Sequence, residues 1–550
     1  MSYAFINRAV SSNRKNNRFS LRNNAGEVYM RKVIKYLGLT LLVLVLIVLV
    51  YIGVQVVQLK LWMGNKQIIV GELTKNQKEE DFTYLAMFVE EVYPFTELLH
   101  EVKGFSNISE LSSDYIKRAG ETKNNEEFLL LFLEYTERLR QAGHGGIQFI
   151  DFDLFTSYTF GIEKDAYLKQ DYWRKLLSKV PYYVHSGLDI MYKDGTYIII
   201  GITLPDLLDV EIGSTIQAVD GLPVDEWVKG LEAVQPLLYD EYHNKVYTQN
   251  LLMSNFDKKT DGWDVIIQLT DGSLKNIYLD KIPGYKSDTN AFSQCSHIYC
   301  EKLQDDVGYV YIPNFFMENI ITDGEILADF MHINGKDLDK LIIDIRGNQG
   351  GENTYWLNNI VRPLLTHEVE LHSKTAVKKS FESRMNVRLD FYRAAASNHL
   401  LHKSHYVSSV SAVEEPSLDS NIWNVYDITQ KISPANSYNF SGEITILIDS
   451  NCMSAGDSFA SAMKQLGLAR LVGNPTGGWG NHYLSPVLFS LPNSGLCFRS
   501  DVELAYNVDD RPTSIYGTMP DVYLTQIPYP SELSKEVLVK DDWISWSLNH

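Results

Sequence analysis

The period of apolar positions changes several times along the chain, and each change predicts a different element. Residues 36–59 carry no charge and are built on Leu, Val and Ile. A helix of that length crosses a hydrocarbon core of about 30 Å, so a single transmembrane anchor is expected there. From Glu72 to Gln141 the spacing is helical: Phe82, Leu85, Phe88, Val89 and Val92 share one face, and the run Phe128 to Leu139 forms another. This predicts a small helical cap over 72–150. Between 182 and 282 the pattern shifts to short strands, with β-branched and aromatic segments at 197–202 and 263–269. An Asp220-Gly221 pair joins two apolar runs there. From Val307 onward strand and helix alternate: 307–312 strand, 324–332 helix, 340–345 strand, a glycine loop at 346–351, and a helix from about Asn353 to Leu365. Apolar strands interleaved with helices indicate an α/β layer arrangement. Residues 404–431 show no clear period and suggest a surface insertion.

One stretch organises the C-terminal half. Ile444, Ile446, Leu447 and Ile448 make a buried strand, and Phe459, Ala460, Met463 and Leu466 recur at helical spacing. The residues between them, from Asp449 to Met453, have turn chemistry and deliver Ser454 to the start of the helix. A serine there is either a helix N-cap or a nucleophile. The free N–H groups and dipole of the helix terminus favour the negative charge that a nucleophilic attack develops.

Charge and composition narrow the classes. The formal net charge of −19 argues against nucleic acid as a partner. Before the apolar run stand Arg8, Arg14, Lys15, Arg18, Arg22, Arg31, Lys32 and Lys35 against only Glu27. The positive-inside rule then leaves residues 1–35 as a basic cytoplasmic tail and everything after Lys60 outside. A cleaved signal peptide is the competing reading, but no small-residue cleavage site follows the run. Met30 is an alternative start. Four cysteines do not make a disulfide scaffold; Cys295 and Cys300 could pair, and Cys452 reads as a small buried hydrophobe.

Two histidine patterns carry candidate chemistry. His144 stands among Gly143, Gly145 and Gly146, which strip bulk from its surroundings and let the backbone approach another group closely. It is a candidate general base, or else a turn histidine in solvent. His399, His402 and His405 recur every three residues and could share a helix side as metal ligands, or simply face water. Neither nucleotide-loop signature is present, and no metal or cofactor is expected.

Four phrases then stand in order: His144 in its glycine turn, the segment around Asp220-Gly221, Leu-Ile-Ile-Asp-Ile-Arg-Gly-Asn-Gln-Gly-Gly at 341–351, and the stretch from Asp449 to Gly478. Together they resemble the S41 family of serine peptidases, the C-terminal processing and tricorn-core group. The resemblance is specific from about Val307 to Thr525. It implies an S41-type catalytic domain, a mixed sheet flanked by helices, over 300–530. The helical cap and a PDZ-like β-rich module at 182–282 would precede it, unless the latter is an unrelated small β-rich domain. The implied substrate is an extended or unfolded polypeptide. By the same resemblance Ser454 falls on the nucleophile, and Ala455 on one oxyanion N–H. Gly350 or Gly351 falls on the other, and His144 on the base of the tricorn branch. The sequence departs from the family at three places. Trp479 follows the Val-Gly-x-x-Thr-x-Gly phrase, so no dyad lysine is found there. Gly143 replaces a serine before the histidine, and Ser514 stands where an orienting glutamate is expected. Ser514, Asp509 and Asp510 are candidate orienters, with Glu503 close by. Without such a group the enzyme would be weak, or the chain a catalytically inactive peptide-binding receptor or sensor.

Overall fold

The computed structural model describes residues 43, 50, 70–150, 162, 164–179, 184–203, 210–254, 262–283, 291–381, 383–384, 387 and 409–550. The chain divides into two units, Met1–Ile69 and Val70–His550. The apolar run 36–59 lies outside the described residues except for Val43 and Val50, as do His399, His402 and His405. Among the described residues no helix is long and apolar enough to cross a membrane.

Four helices follow the helical spacing in the second unit: α1 (Lys75–Glu91), α2 (Thr96–Lys103), α3 (Ile108–Glu121) and α4 (Asn125–Leu139). Side chains cap three of their starts. Thr74 and Gln77 exchange capping-box bonds, Asn107 accepts from Ser109 N–H, and Asn124 accepts from Glu127 N–H. Phe82, Leu85, Phe88 and Val89 of α1 are buried against α3 and α4, with Phe82 stacked on Tyr115 and edge-on to Phe128 and Tyr135. Helix α4 carries the apolar run Phe128 to Leu133 and is buried over most of its circumference, polar Asn125, Thr136 and Glu137 included. It delivers the chain directly to the histidine turn, whose short strand β1 (Gly146–Ile147) ends it.

After α5 (Lys164–Leu177) comes the β-rich region: β2 (Leu188–Lys193), β3 (Thr196–Ile202), β4 (Thr215–Val219), α6 (Val224–Lys229), β5 (Gly262–Gln268) and β6 (Leu274–Asp280). The strands form an antiparallel sheet in the order β6-β5-β4-β3-β2, with Ile199, Ile216, Val219, Val265 and Ile267 buried. Asp220 at φ +50° and Gly221 at φ +80° supply the two positive φ values that a tight hairpin turn requires.

The C-terminal part contains β7 (Tyr299–Gln304), β8 (Val307–Tyr311), α7 (Ile320–Asn334), β9 (Lys340–Asp344), β10 (Val369–Lys378), β11 (Trp423–Ile432), β12 (Glu443–Ile448), α8 (Ala455–Gln465), β13 (Arg470–Gly473), β14 (Val487–Ser490), β15 (Cys497–Ser500), β16 (Glu503–Ala505), β17 (Val522–Tyr523) and α9 (Asp542–Asn549). Six of these strands build one mixed sheet in the order β7-β8-β9-β12-β13-β17, antiparallel only between β7 and β8. Strands β9 and β12 are parallel neighbours, in register from Lys340 opposite Glu443 to Asp344 opposite Leu447. The loops leaving their carboxyl ends, 346–351 and 449–454, therefore emerge side by side. That is the place where open α/β sheets put their chemistry.

Two expectations are corrected. The stretch 404–431 is not an aperiodic insertion throughout: β11 begins within it and pairs along its whole length with β10, and a strand at Ser409–Val413 pairs with β11 in turn. The alternation is masked because half-buried polar residues stand on both faces, Asn424 and Gln430 on one and Asp427 on the other. Cys295 and Cys300 are both free thiols, as are Cys452 and Cys497.

Candidate active site

The glycine loop is fixed before any catalytic group is considered. Arg346, 1% exposed, pairs with Asp344 at 2.7 Å and with Asp541 at 3.0 Å, and lies between the rings of Phe292 and Trp543. A buried guanidinium held by two carboxylates is costly to disturb, and it locks the end of β9 to the C-terminal helix. Asn348 ties the loop to the serine turn. Its side chain donates to Ile312 C=O and accepts from Gly350 N–H, and its carbonyl accepts from Met453 N–H. Asp449 accepts from Gly347 N–H at 3.0 Å and from the Tyr529 hydroxyl at 2.5 Å. The two loops are thus one bonded unit.

Ser454 occupies φ +54°, ψ −119°, a conformation that costs a non-glycine residue about 1–3 kcal/mol. It is held there by its N–H on Gly478 C=O and its C=O on Ser458 N–H, each at 2.9 Å. Although it precedes α8, its side chain makes no capping bond. The hydroxyl points instead to His144, with Oγ 2.9 Å from Nε2. The cap alternative therefore fails on geometry. Asp457, in the first turn of α8, is fully buried and accepts from Thr476 Oγ1, Thr518 Oγ1, Thr518 N–H and Gly480 N–H. It pins the helix start to the loops around it.

His144 arrives from the far side of the cleft by strand pairing. Strand β1 is antiparallel to β15, with Gly146 opposite Arg499 and Ile147 opposite Phe498. Continued by two residues, that register sets His144 opposite Asp501. The carboxylate oxygen Oδ2 accepts from His144 N–H at 2.8 Å and lies 3.2 Å from Nδ1. A Cβ at Gly143 would fall on that same carboxylate oxygen, so glycine is required there by close approach. Burial raises the Asp501 pKa, but the neighbouring His482 and His144 and the bonds from His144 outweigh it and hold the group well below the usual carboxylate range. Asp501 is ionised and aimed at the imidazole.

This corrects the expected orienters. Asp509 lies 3.4 Å from Lys464, Asp510 pairs with Lys374 at 2.5 Å, and the Ser514 hydroxyl is buried without a hydrogen-bond partner. Glu503 accepts from Leu484 N–H and Thr375 Oγ1 and does not contact His144. Asp501 had no local mark in the sequence. The only signal was the pairing of two short strands more than three hundred residues apart. A second residue missed is His482, whose ring centroid is 5.5 Å from that of His144. Its Nε2 is 3.8 Å from Asp501 Oδ2, and its Nδ1 is 3.3 Å from Glu503 Oε1. Burial works to lower its pKa, but Asp501 and then Glu503 push it up to about 9. Its signal was a glycine-flanked loop, Gly478 to His482, much like that around His144.

The candidate oxyanion donors separate. Gly350 N–H is taken by Asn348 Oδ1 at 2.9 Å, whereas the Gly351 and Ala455 N–H groups donate to no other group among the described residues. Both line, with Ser454 and His144, a cleft of about 970 Å³ that runs between the six-stranded mixed sheet and the β-rich region at Gln235, Leu238 and Gln249. Gly350 has a packing role: at φ +102°, a Cβ there would stand 2.8 Å from Ser454 Cβ and 2.9 Å from Ala455 N.

Comparison with known proteins bears on the domain and the fold. The description "Peptidase family S41" matches residues 306–524. The whole chain matches no curated protein. Among solved structures, mature CPAF complexed with lactacystin is 14% identical, covers 82% of this chain and 94% of its own, and has a TM-score of 0.53. Mature CPAF alone covers 82% and 93% at 14% identity, with a TM-score of 0.52. The photosystem II D1 C-terminal processing protease covers 86% and 97% at 15% identity, with a TM-score of 0.38. The domain that holds the glycine loop and the serine turn is a peptidase family S41 domain.

Proposed function

We propose that the protein is a serine peptidase acting on extended or unfolded polypeptide, with Ser454 as nucleophile, His144 as base and Asp501 as orienting carboxylate. The observation that carries this reading is the chain from Asp501 Oδ2 to His144 Nδ1 to His144 Nε2 to Ser454 Oγ, with steps of 3.2 Å and 2.9 Å. Asp501 accepts from Nδ1–H and so leaves the Nε2 lone pair facing the hydroxyl. As Ser454 attacks the peptide carbonyl, its proton passes to Nε2, and the imidazolium is stabilised by the buried carboxylate. The Ala455 and Gly351 N–H groups receive the charge on the carbonyl oxygen, the former backed by the N-terminus of α8. His144 then gives its proton to the leaving amine, and water repeats the cycle on the acyl-enzyme.

The β-rich region lines the cleft opposite the serine. In this reading it is a PDZ-like module that presents the peptide, by adding a strand to a sheet edge. The basic tail and apolar run before residue 60 support anchoring in a membrane with the peptidase unit outside the cytoplasm. The orienting carboxylate favours an active enzyme over an inactive receptor. Labelling with a fluorophosphonate probe tests the reading. Wild type should label at one serine, and Ser454→Ala and His144→Ala should not. A folded wild type that does not label would contradict the enzyme and leave a peptide-binding fold.

A further inference from the structure

The proposed mechanism leaves His482 without a task, yet its position is unusual. The side chain is 10% exposed and lies between two buried carboxylates, Asp501 and Glu503. Each of its ring nitrogens faces a carboxylate without completing a well-formed hydrogen bond, and Asp501 Oδ1 has no hydrogen-bond partner among the described residues. Buried polar atoms left unpaired call for an explanation, such as a bound ion.

The geometry around them fits a small divalent cation. One ligand atom from each of His144, His482 and Asp501 lies within 4.8 Å of the others. His144 Nδ1 is 3.2 Å and His482 Nε2 is 3.8 Å from Asp501 Oδ2. Nitrogen and oxygen ligands about 2.0 Å from a tetrahedral Zn²⁺ stand roughly 3.3 Å apart. Small side-chain shifts close the set, with the proton that the charged His482 ring carries on Nε2 released to solvent as the ion binds. A zinc-bound histidine commonly passes its other N–H to a carboxylate that fixes the ring, and Glu503 Oε1 stands 3.3 Å from His482 Nδ1. Glu503 is itself held by Leu484 N–H and Thr375 Oγ1. His144 and His482 both border the cleft, which supplies an entry path and room for a water as fourth ligand. Two carboxylates balance the dication, while Arg140 and Arg499 on the same cleft wall oppose it.

We propose that His144, His482 and Asp501 form an inhibitory site for a divalent transition-metal ion of the zinc class. Its inhibitory effect rests on the proposed peptidase reading; its existence as a binding site does not. A metal ion on His144 Nδ1 takes the lone pair of that nitrogen, so the single proton of the neutral ring moves to Nε2. Nε2–H then donates to Ser454 Oγ and can no longer accept its proton. The ion also takes the carboxylate that would stabilise the imidazolium. Removing the metal restores the Nδ1–H tautomer, so the block is reversible.

The test separates binding from activity by using the Ser454→Ala protein, which keeps all three ligands. Co²⁺ should give it the visible absorption of a tetrahedral site at one ion per chain, displaced by Zn²⁺. His482→Gln in that background should weaken binding by more than about 100-fold, and Glu503→Gln should weaken it less, by about 10- to 100-fold. If His482→Gln does not fold, Zn²⁺ protection of His144 and His482 from diethyl pyrocarbonate, read by mass spectrometry on the unsubstituted protein, gives the same answer. On wild type, Zn²⁺ should suppress fluorophosphonate labelling and a chelator should restore it. Absence of a tetrahedral Co²⁺ spectrum, or binding that ignores His482→Gln and leaves both histidines unprotected, would overturn the site. Binding with undiminished labelling would overturn the inhibition alone.

Discussion

The two walls of the cleft are built differently. The serine wall grows from the centre of a parallel sheet: β9 and β12 are adjacent, their loops are cross-linked by Asn348 and Asp449, and Arg346 bolts the assembly to α9. The histidine wall hangs on a two-residue strand and on contacts that span three parts of the chain. Gln141, three residues before His144, donates to Glu232 C=O and Gln235 C=O and accepts from Leu237 N–H. Lys103 donates to Gln141 C=O at 2.9 Å and Leu237 C=O at 2.7 Å. The proposed nucleophile, Ser454, is therefore set by the core of the domain, whereas the position of His144, the proposed base, depends on how the cap and the β-rich region are docked. A disturbance of either can disable the base while the serine turn stays folded.

Substitutions on each wall should break this contrast in different ways. Ser454→Ala should remove all labelling with melting almost unchanged, because the backbone at φ +54° is held by main-chain bonds. Gly350→Ala should cost about 10²-fold in rate through displacement of the nucleophile, together with a clear loss of melting temperature. Its Cβ would stand less than 3 Å from Met453 O, Ser454 Cβ and Ala455 N in a left-handed conformation. On the opposite wall, Gln141→Ala should lower kcat about tenfold while leaving the serine turn intact. It leaves buried carbonyls unpaired, at a cost of about 1–3 kcal/mol each. Hydrogen exchange should show opening confined to the histidine turn and residues 232–237. If the Ser454 turn opened equally, the two walls would not be independent.

The smallest effect concerns pH. Burial lowers the Lys103 pKa to about 7. The folded value lies below the unfolded one of about 10.4, so between them the unfolded chain binds more protons and stability rises with pH. That rise begins near pH 7 and should amount to about 1 kcal/mol per pH unit at most. Denaturant melts of wild type and Lys103→Met from pH 7 to pH 9 check it: the difference between them should grow in favour of wild type as pH rises. A constant difference would mean that Lys103 keeps an ordinary pKa.

The same division explains what could be read from the sequence. The serine turn and the glycine loop are local objects, a strand, a loop and a helix contiguous in the chain, so residue types at short spacing mark Ser454, and the family resemblance adds Ala455 and a glycine at 350 or 351. His144 was marked by the glycines that let Asp501 approach it. Asp501 itself carries no local mark. It follows a short strand, and only the β1–β15 register brings it opposite His144. The carboxylates nearest in sequence to the family phrase, Asp509 and Asp510, are instead paired with lysines. Gly350 was not distinguished from Gly351 as an oxyanion donor, because that distinction lies in which N–H Asn348 consumes.

The central claim is that Asp501 orients His144, and one comparison tests it most directly: the rate of fluorophosphonate labelling of Asp501→Asn beside Asp509→Asn and Asp510→Asn. Asparagine preserves the shape at 501 but favours the wrong imidazole tautomer, so labelling should fall by about 10⁴-fold, while the other two variants label as wild type. An Asp501→Asn protein that labels at the wild-type rate, or a comparable loss in either of the other two, would contradict the account.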